Sequence, residues 1–127
     1  MIKAQDFISK ADELTKKKTV YLWGGWGNKL TNALIDSKAR QYRSVYYPSK
    51  VARLKALVPK GYLGIDCSGL LKMIHWGYPN HKYNNGGMPD TNANSYINMC
   101  KDVSTNFNSI VPGEAVWLPG HIGLYEE

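Results

Sequence analysis

The stretch "GIDCSGLL", residues 64–71, decides how the chain is read. Asp66 stands directly before a run that continues as "LLKMIHW". Asp is a preferred N-cap, because its side-chain oxygen accepts from N–H groups that the first helical turn leaves unpaired. Cys67 then falls at the first position of a helix running to about Trp76, where Gly77 and Pro79 stop it. A thiol there feels the positive end of the helix dipole, which favours the nucleophilic thiolate. The same N–H groups can hold an oxyanion. Gly69, in the first turn, costs the helix roughly 1 kcal/mol relative to Ala. That choice makes sense where a substrate or a neighbouring strand approaches closely. On these residues alone, Cys67 is either a nucleophile or a small apolar residue at a helix start.

A thiolate mechanism needs a base, and the chain offers three histidines. His75 shares the Cys67 helix but lies roughly 12 Å further along its axis, too far for a hydrogen bond. It reads as a surface or partly packed residue. His81 sits in the loop "PNHKYNN", and nothing brings it to the helix start. His121 opens "HIGLY" after the Pro119–Gly120 turn. Strand alternation puts His121, Gly123 and Tyr125 on one face, and Ile122 and Leu124 on the other. His121 can therefore face a groove while Ile122 and Leu124 face a core. Packed against the start of the Cys67 helix, this strand would complete a Cys/His pair. No His/Cys/Asp cluster has metal-ligand spacing, and no cofactor is implied.

The rest of the chain supplies a frame. Residues 3–16 read as an amphipathic helix with Phe7, Ala11 and Leu14 on one stripe. "TVYLWGGWGN" is a short β-like run ending in a glycine-rich corner. Residues 31–44 read as a second helix with Leu34 and Ile35 inward. Ser49 is the expected cap of a third, which "PKGYLG" ends. Thr91 is the expected cap of a last helix with Ala93, Tyr96, Ile97 and Cys100 at core spacing. That assigns Cys100 to the core and leaves no evident disulfide. "VPGEAVWLPGHIGLY" gives two short strands. Helices come first and strands last, which argues an α+β fold.

With 127 residues the chain fits a single domain, residues 1–127, able to bury a core without metals or staples. A formal net charge of +6 favours anionic partners: nucleic acid, a membrane surface or an anionic cell wall. No nucleic-acid motif is present, and no stretch approaches a membrane span. "MIKAQDFISK" lacks the apolar core of a secretory signal, so synthesis in a cytoplasm is expected. Nine Tyr and four Trp, many beside glycines, suit a groove for an extended or sugar-bearing ligand, or a core.

Four segments carry a resemblance to a family: "YLWGG" (21–25), "DCSGLL" (66–71), "MPDTN" (88–92) and "VPGEAVWLPGHIGLY" (111–125). Over nearly its whole length the chain resembles NlpC/P60 cysteine peptidases, papain-like enzymes that cut the stem peptides of bacterial peptidoglycan. The long helical stretch between the first two segments is similar to phage and prophage endolysins. The resemblance implies a papain-like fold, N-terminal helices packed on a small antiparallel sheet. It implies Cys67 as nucleophile and His121 as general base. Tyr21 would lie beside the thiolate, Asp66 and Ser68 would contact the substrate peptide, and Trp23 would line the groove. Asp66 thus has two candidate roles, cap and substrate contact. Trp23 and Trp26 suit the groove or the core. The expected activity is cleavage of a stem-peptide amide at the cell wall after release from the cell.

Two departures from the family pattern stand out. Asp90 occupies the place where many relatives carry Arg. The family's third catalytic residue, which orients the histidine, lies on a strand after "HIGLY", and the sequence ends at Glu127. The expectation is a domain truncated at its C-terminal end, completed by a further fragment or a strand-exchanged copy. Alternatives are an N-acetylmuramoyl-L-alanine amidase on the same scaffold, or a non-catalytic wall-binding or phage-tail module.

Overall fold

The computed structural model describes residues 3–101 and 103–126. Helix α1 (Ala4–Thr15) buries Phe7, Ala11 and Leu14, the stripe that the sequence spacing predicts, and Ile8 beside them. Strands β1 (Thr19–Tyr21) and β2 (Trp26–Lys29) flank the glycine corner. Helices α2 (Asn32–Gln41) and α3 (Pro48–Leu57) follow. Thr31 caps α2, its hydroxyl accepting from the Leu34 N–H at 3.0 Å. Ser49 does not cap α3. Pro48 takes the first helical position instead, where its missing N–H would have had no intrahelical partner.

Gly61, at φ 77°, ends a 3-10 turn (Val58–Lys60) and turns the chain into β3 (Leu63–Ile65). Helix α4 (Cys67–His75) starts at once, capped by Asp66 as expected. Helix α5 (Ala93–Ile97) and the hairpin β4 (Ala115–Leu118) and β5 (His121–Leu124) complete the described fold.

The fold is α+β, but strands do not come last. β3 lies at the centre of a three-stranded sheet in the order β1-β3-β2, parallel to β1 and antiparallel to β2. The β4–β5 hairpin is a separate antiparallel pair. One small antiparallel sheet was the expectation, and the difference comes from "LGI". Three residues are too few for alternation to register, so the segment reads as the end of a helix. The α2–α3 segment leaves and rejoins the sheet at one point, where the Leu30 N–H donates to the Tyr62 carbonyl at 2.9 Å.

Two apolar clusters flank the sheet and α4. One gathers Phe7, Leu14, Leu71, Ile74 and Tyr96 with Ile122 of β5. The other packs α2 and α3 on the sheet through Leu22, Leu30, Ile35, Tyr46 and Leu54. β5 lies against α4, with Ile122 buried and His121 exposed, as strand alternation predicts.

Cys100 corrects the core assignment: it is exposed, and both cysteines are free thiols. The periodicity assumed a helix reaching residue 100, but α5 ends at Ile97, so the stripe closes with Ala93 and Tyr96. The cap of α5 is also one residue later than expected. Asn92, not Thr91, accepts from the Ser95 N–H at 2.8 Å.

Candidate functional site

Parallel pairing sets Tyr21 of β1 beside Ile65 of β3. The corner after β1 and the start of α4 therefore emerge at the same end of the sheet. Three hydrogen bonds join them, and a fourth caps α4. The Leu22 N–H donates to the Ile65 carbonyl at 3.1 Å, and the Asp66 N–H to the Gly25 carbonyl at 3.0 Å. The two Asp66 carboxylate oxygens accept from the Gly69 N–H at 2.6 Å and the Gly24 N–H at 2.9 Å. Asp66 thus caps α4 and pins the corner with the same group. The approach is too close for a side chain: a Cβ at Gly69 would lie 1.9 Å from the Gly25 carbonyl oxygen. Of the two visitors that Gly69 could admit, the neighbouring backbone is the one present.

The stitched end opens into a cleft of about 810 Å³. Tyr21, Trp23, Asp66 and Cys67 line one part of it, Lys38, Gln41 and Tyr42 of α2 another. Cys67 is half-buried, a thiol that a ligand can reach. The Gly69 N–H goes to the Asp66 side chain and the Leu70 N–H to the Asp66 carbonyl. No described acceptor takes the N–H groups of Cys67 and Ser68, so these two remain for an anion at the helix start. Tyr21 is 52% exposed. Its phenol is pushed above its ordinary pKa by partial burial first, then by the negative charges of Cys67 and Asp66. Tyr21 is thus a neutral hydroxyl within electrostatic reach of Cys67.

The other expected site residues take varied places. Trp23 is 42% exposed on the cleft wall, edge-on to Tyr42, and Trp26 lines the same cleft while packing against Trp76. The Tyr46 hydroxyl donates to the Trp23 carbonyl at 2.6 Å and so fixes the corner from below. Ser68 borders the cleft but is only 4% exposed, its hydroxyl turned to Asp66 at 3.4 Å. Gly120 forms part of the cleft wall, and His121 follows it directly. The His121 ring is exposed and does not itself line the cleft. Asn94 anchors this turn, accepting from the Gly120 N–H at 2.7 Å.

His75 packs edge-on against Phe7, 4.9 Å between ring centroids, on the far side of α4. His81 lies among Trp26 and Tyr78. Neither lines the cleft. Burial lowers the pKa of each ring. For His81 the nearby backbone of Trp26 and Pro79 acts in the opposite sense and is outweighed.

Sequence reasoning missed the opposite wall. Lys72 is buried on α4, its side chain 8% exposed, and its ammonium meets Asp90. The Tyr83 hydroxyl donates to the other Asp90 oxygen at 2.8 Å. Burial of Asp90 would raise its pKa, but the Lys72 and Tyr83 hydrogen bonds, with the positive charges of Lys72 and Lys38, outweigh that and hold it below the ordinary carboxylate range. Asp90 thus fastens the 77–92 loop to α4. The available signal was Lys72 itself, a cation inside the apolar run "LLKMIHW".

Among the described residues no group of three or more His, Cys, Asp or Glu could hold a metal ion, and no helix is long and apolar enough to cross a membrane. Comparison with protein-family models, with curated proteins and with solved structures yields no match.

Proposed function

We propose that the chain is a peptidoglycan hydrolase of the papain-like NlpC/P60 kind, a cysteine endopeptidase that cuts an amide bond of the stem peptide. The observation that carries the reading is Cys67: a reachable thiol at the start of α4, on a cleft bordered by Tyr21 and Trp23. In this reading the Cys67 thiolate attacks the peptide carbonyl. The free N–H groups of Cys67 and Ser68 steady the oxyanion, with the Tyr21 hydroxyl beside them. His121 takes the thiol proton and returns it to the leaving amine, and water releases the acyl group. Asp66 serves as a fastener of the site, since backbone N–H groups engage both of its oxygens. The protein acts on the wall after leaving the cell in which it is made.

Purified cell walls incubated with the wild type and with Cys67→Ala test this. New amines should appear only with the wild type, and equal release by both proteins rejects the mechanism. Mass spectrometry of the fragments separates an endopeptidase, which cuts within the stem, from an amidase, which frees the L-Ala amine.

A second reading, a non-catalytic wall-binding module, has one observation in its favour. His121 is exposed, and no hydrogen bond from a described residue orients its ring. Thiol labelling across pH discriminates. A structural Cys67 labels with an apparent pKa near or above the free value of about 8.5, and a nucleophilic one well below it.

A further inference from the structure

The charged groups of the cleft are Lys38, Asp66, Lys72 and Asp90. Three of them are already engaged. Asp66 accepts two backbone N–H groups, and Lys72 and Asp90 neutralise each other. Lys38 has no carboxylate within ion-pair distance among the described residues.

Its place is nonetheless defined. A Cβ at Gly24 would lie 3.4 Å from Lys38 Cδ, so the lysine stem runs along the corner that carries Trp23. The ammonium stands 6.0 Å from the centre of the Tyr42 ring. Gln41, one turn on from Lys38, lines the same wall and adds amide donors. One free cation supported by an amide matches a monoanion. A phosphate dianion would face the Asp66 charge as well, with Lys38 as the one cleft cation outside an ion pair among the described residues to balance it.

We propose that Lys38 is a carboxylate-binding subsite of the cleft and selects an anionic peptide over its neutral counterpart. The peptide part rests on the peptidase reading, while the anion part rests on the cleft alone. The lysine comes from α2, within the helical segment between the glycine corner and Cys67, so recognition and chemistry lie on different parts of the chain.

Calorimetry of the full chain carrying Cys67→Ala tests the subsite. The probes are a synthetic stem tetrapeptide with its carboxylates free and the same peptide with every carboxylate amidated. The free form should bind about five- to tenfold more tightly, the range of a part-exposed charge-assisted pair. The preference should shrink as salt is raised. Adding Lys38→Met, which keeps the apolar stem, should make the two peptides bind equally, and Lys38→Arg should restore the preference.

Equal binding of the two peptides without the Lys38 change overturns the subsite, as does a preference that survives Lys38→Met or failure of both peptides to bind. Cleavage assays with Cys67 intact separate the two proposals. Cleavage without carboxylate preference rejects the subsite and leaves the peptidase standing. A Lys38-dependent binding preference without cleavage rejects the peptidase and keeps the subsite.

Discussion

Gly69 sets two effects of opposite sign against each other. In an isolated helix, Gly→Ala gains roughly 1 kcal/mol. Here the added Cβ would lie 1.9 Å from the Gly25 carbonyl oxygen, which the Asp66 hydrogen bond holds in place. The clash is the larger effect, since overpacking of this kind costs about 1–3 kcal/mol. Gly69→Ala should therefore destabilise the protein by about 1 kcal/mol net, read as a lower urea midpoint. A neutral or stabilised variant would mean that the corner yields freely. At this scale much of the site was legible. Capping is local, so "DCSG" announced both the helix start and the place of Cys67. Cys100 was not legible, because its burial depended on where α5 stops, and nothing within the Ala93–Cys100 stripe marks Ile97 as the end.

Between elements, the tie from Lys72 to Asp90 holds the 77–92 loop to α4. Its two partners are unequal, with side chains 8% and 38% exposed. Asp90→Ala strands a buried ammonium and should cost about 2–3 kcal/mol, somewhat less than for a fully buried pair. Lys72→Met leaves a carboxylate that water can reach and should cost less. Denaturant titration of both variants checks the order. Because the Asp90 pKa is lowered in the folded protein, its contribution is present above roughly pH 4 and is lost as the pH falls through the folded value. Asp90→Asn should flatten that acid limb. The sequence did not disclose this tie, which joins residues 18 positions apart across a loop without regular spacing. It did not disclose β3 either, where the pairing is supplied by β1 and β2 and not by any pattern in "LGI".

For the molecule as a whole, His75, exposed but resting on Phe7, and the half-buried His81 set a milder acid response. Burial lowers the pKa of His75 and His81 in the folded state, so the unfolded chain binds more protons at the same pH. Their contribution is complete above the ordinary histidine pKa of about 6.5 and declines as the pH falls through it toward the folded values. Thermal midpoints should drop between about pH 6.5 and 5, and replacing both rings with Gln should remove much of the slope. If the slope is unchanged, these two rings do not titrate with folding. The α+β class holds at this scale, although the order it was argued from, helices first and strands last, does not. The sheet order was not legible, since it depends on which strands meet across the long α2–α3 segment.

That segment is closed at its base by the Leu30–Tyr62 hydrogen bond; among the described residues Tyr46 alone reaches from it by hydrogen bond to the corner, while the groups that cap α4 lie outside it. Loop-closure entropy grows only slowly, by about 0.6 kcal/mol per doubling of length. The exposed turn at Arg43 and Ser44 can therefore lengthen or change composition with little effect on where the thiol sits. The cleft-facing side chains Lys38 and Gln41 can likewise change without touching the hydrogen bonds that hold the start of α4.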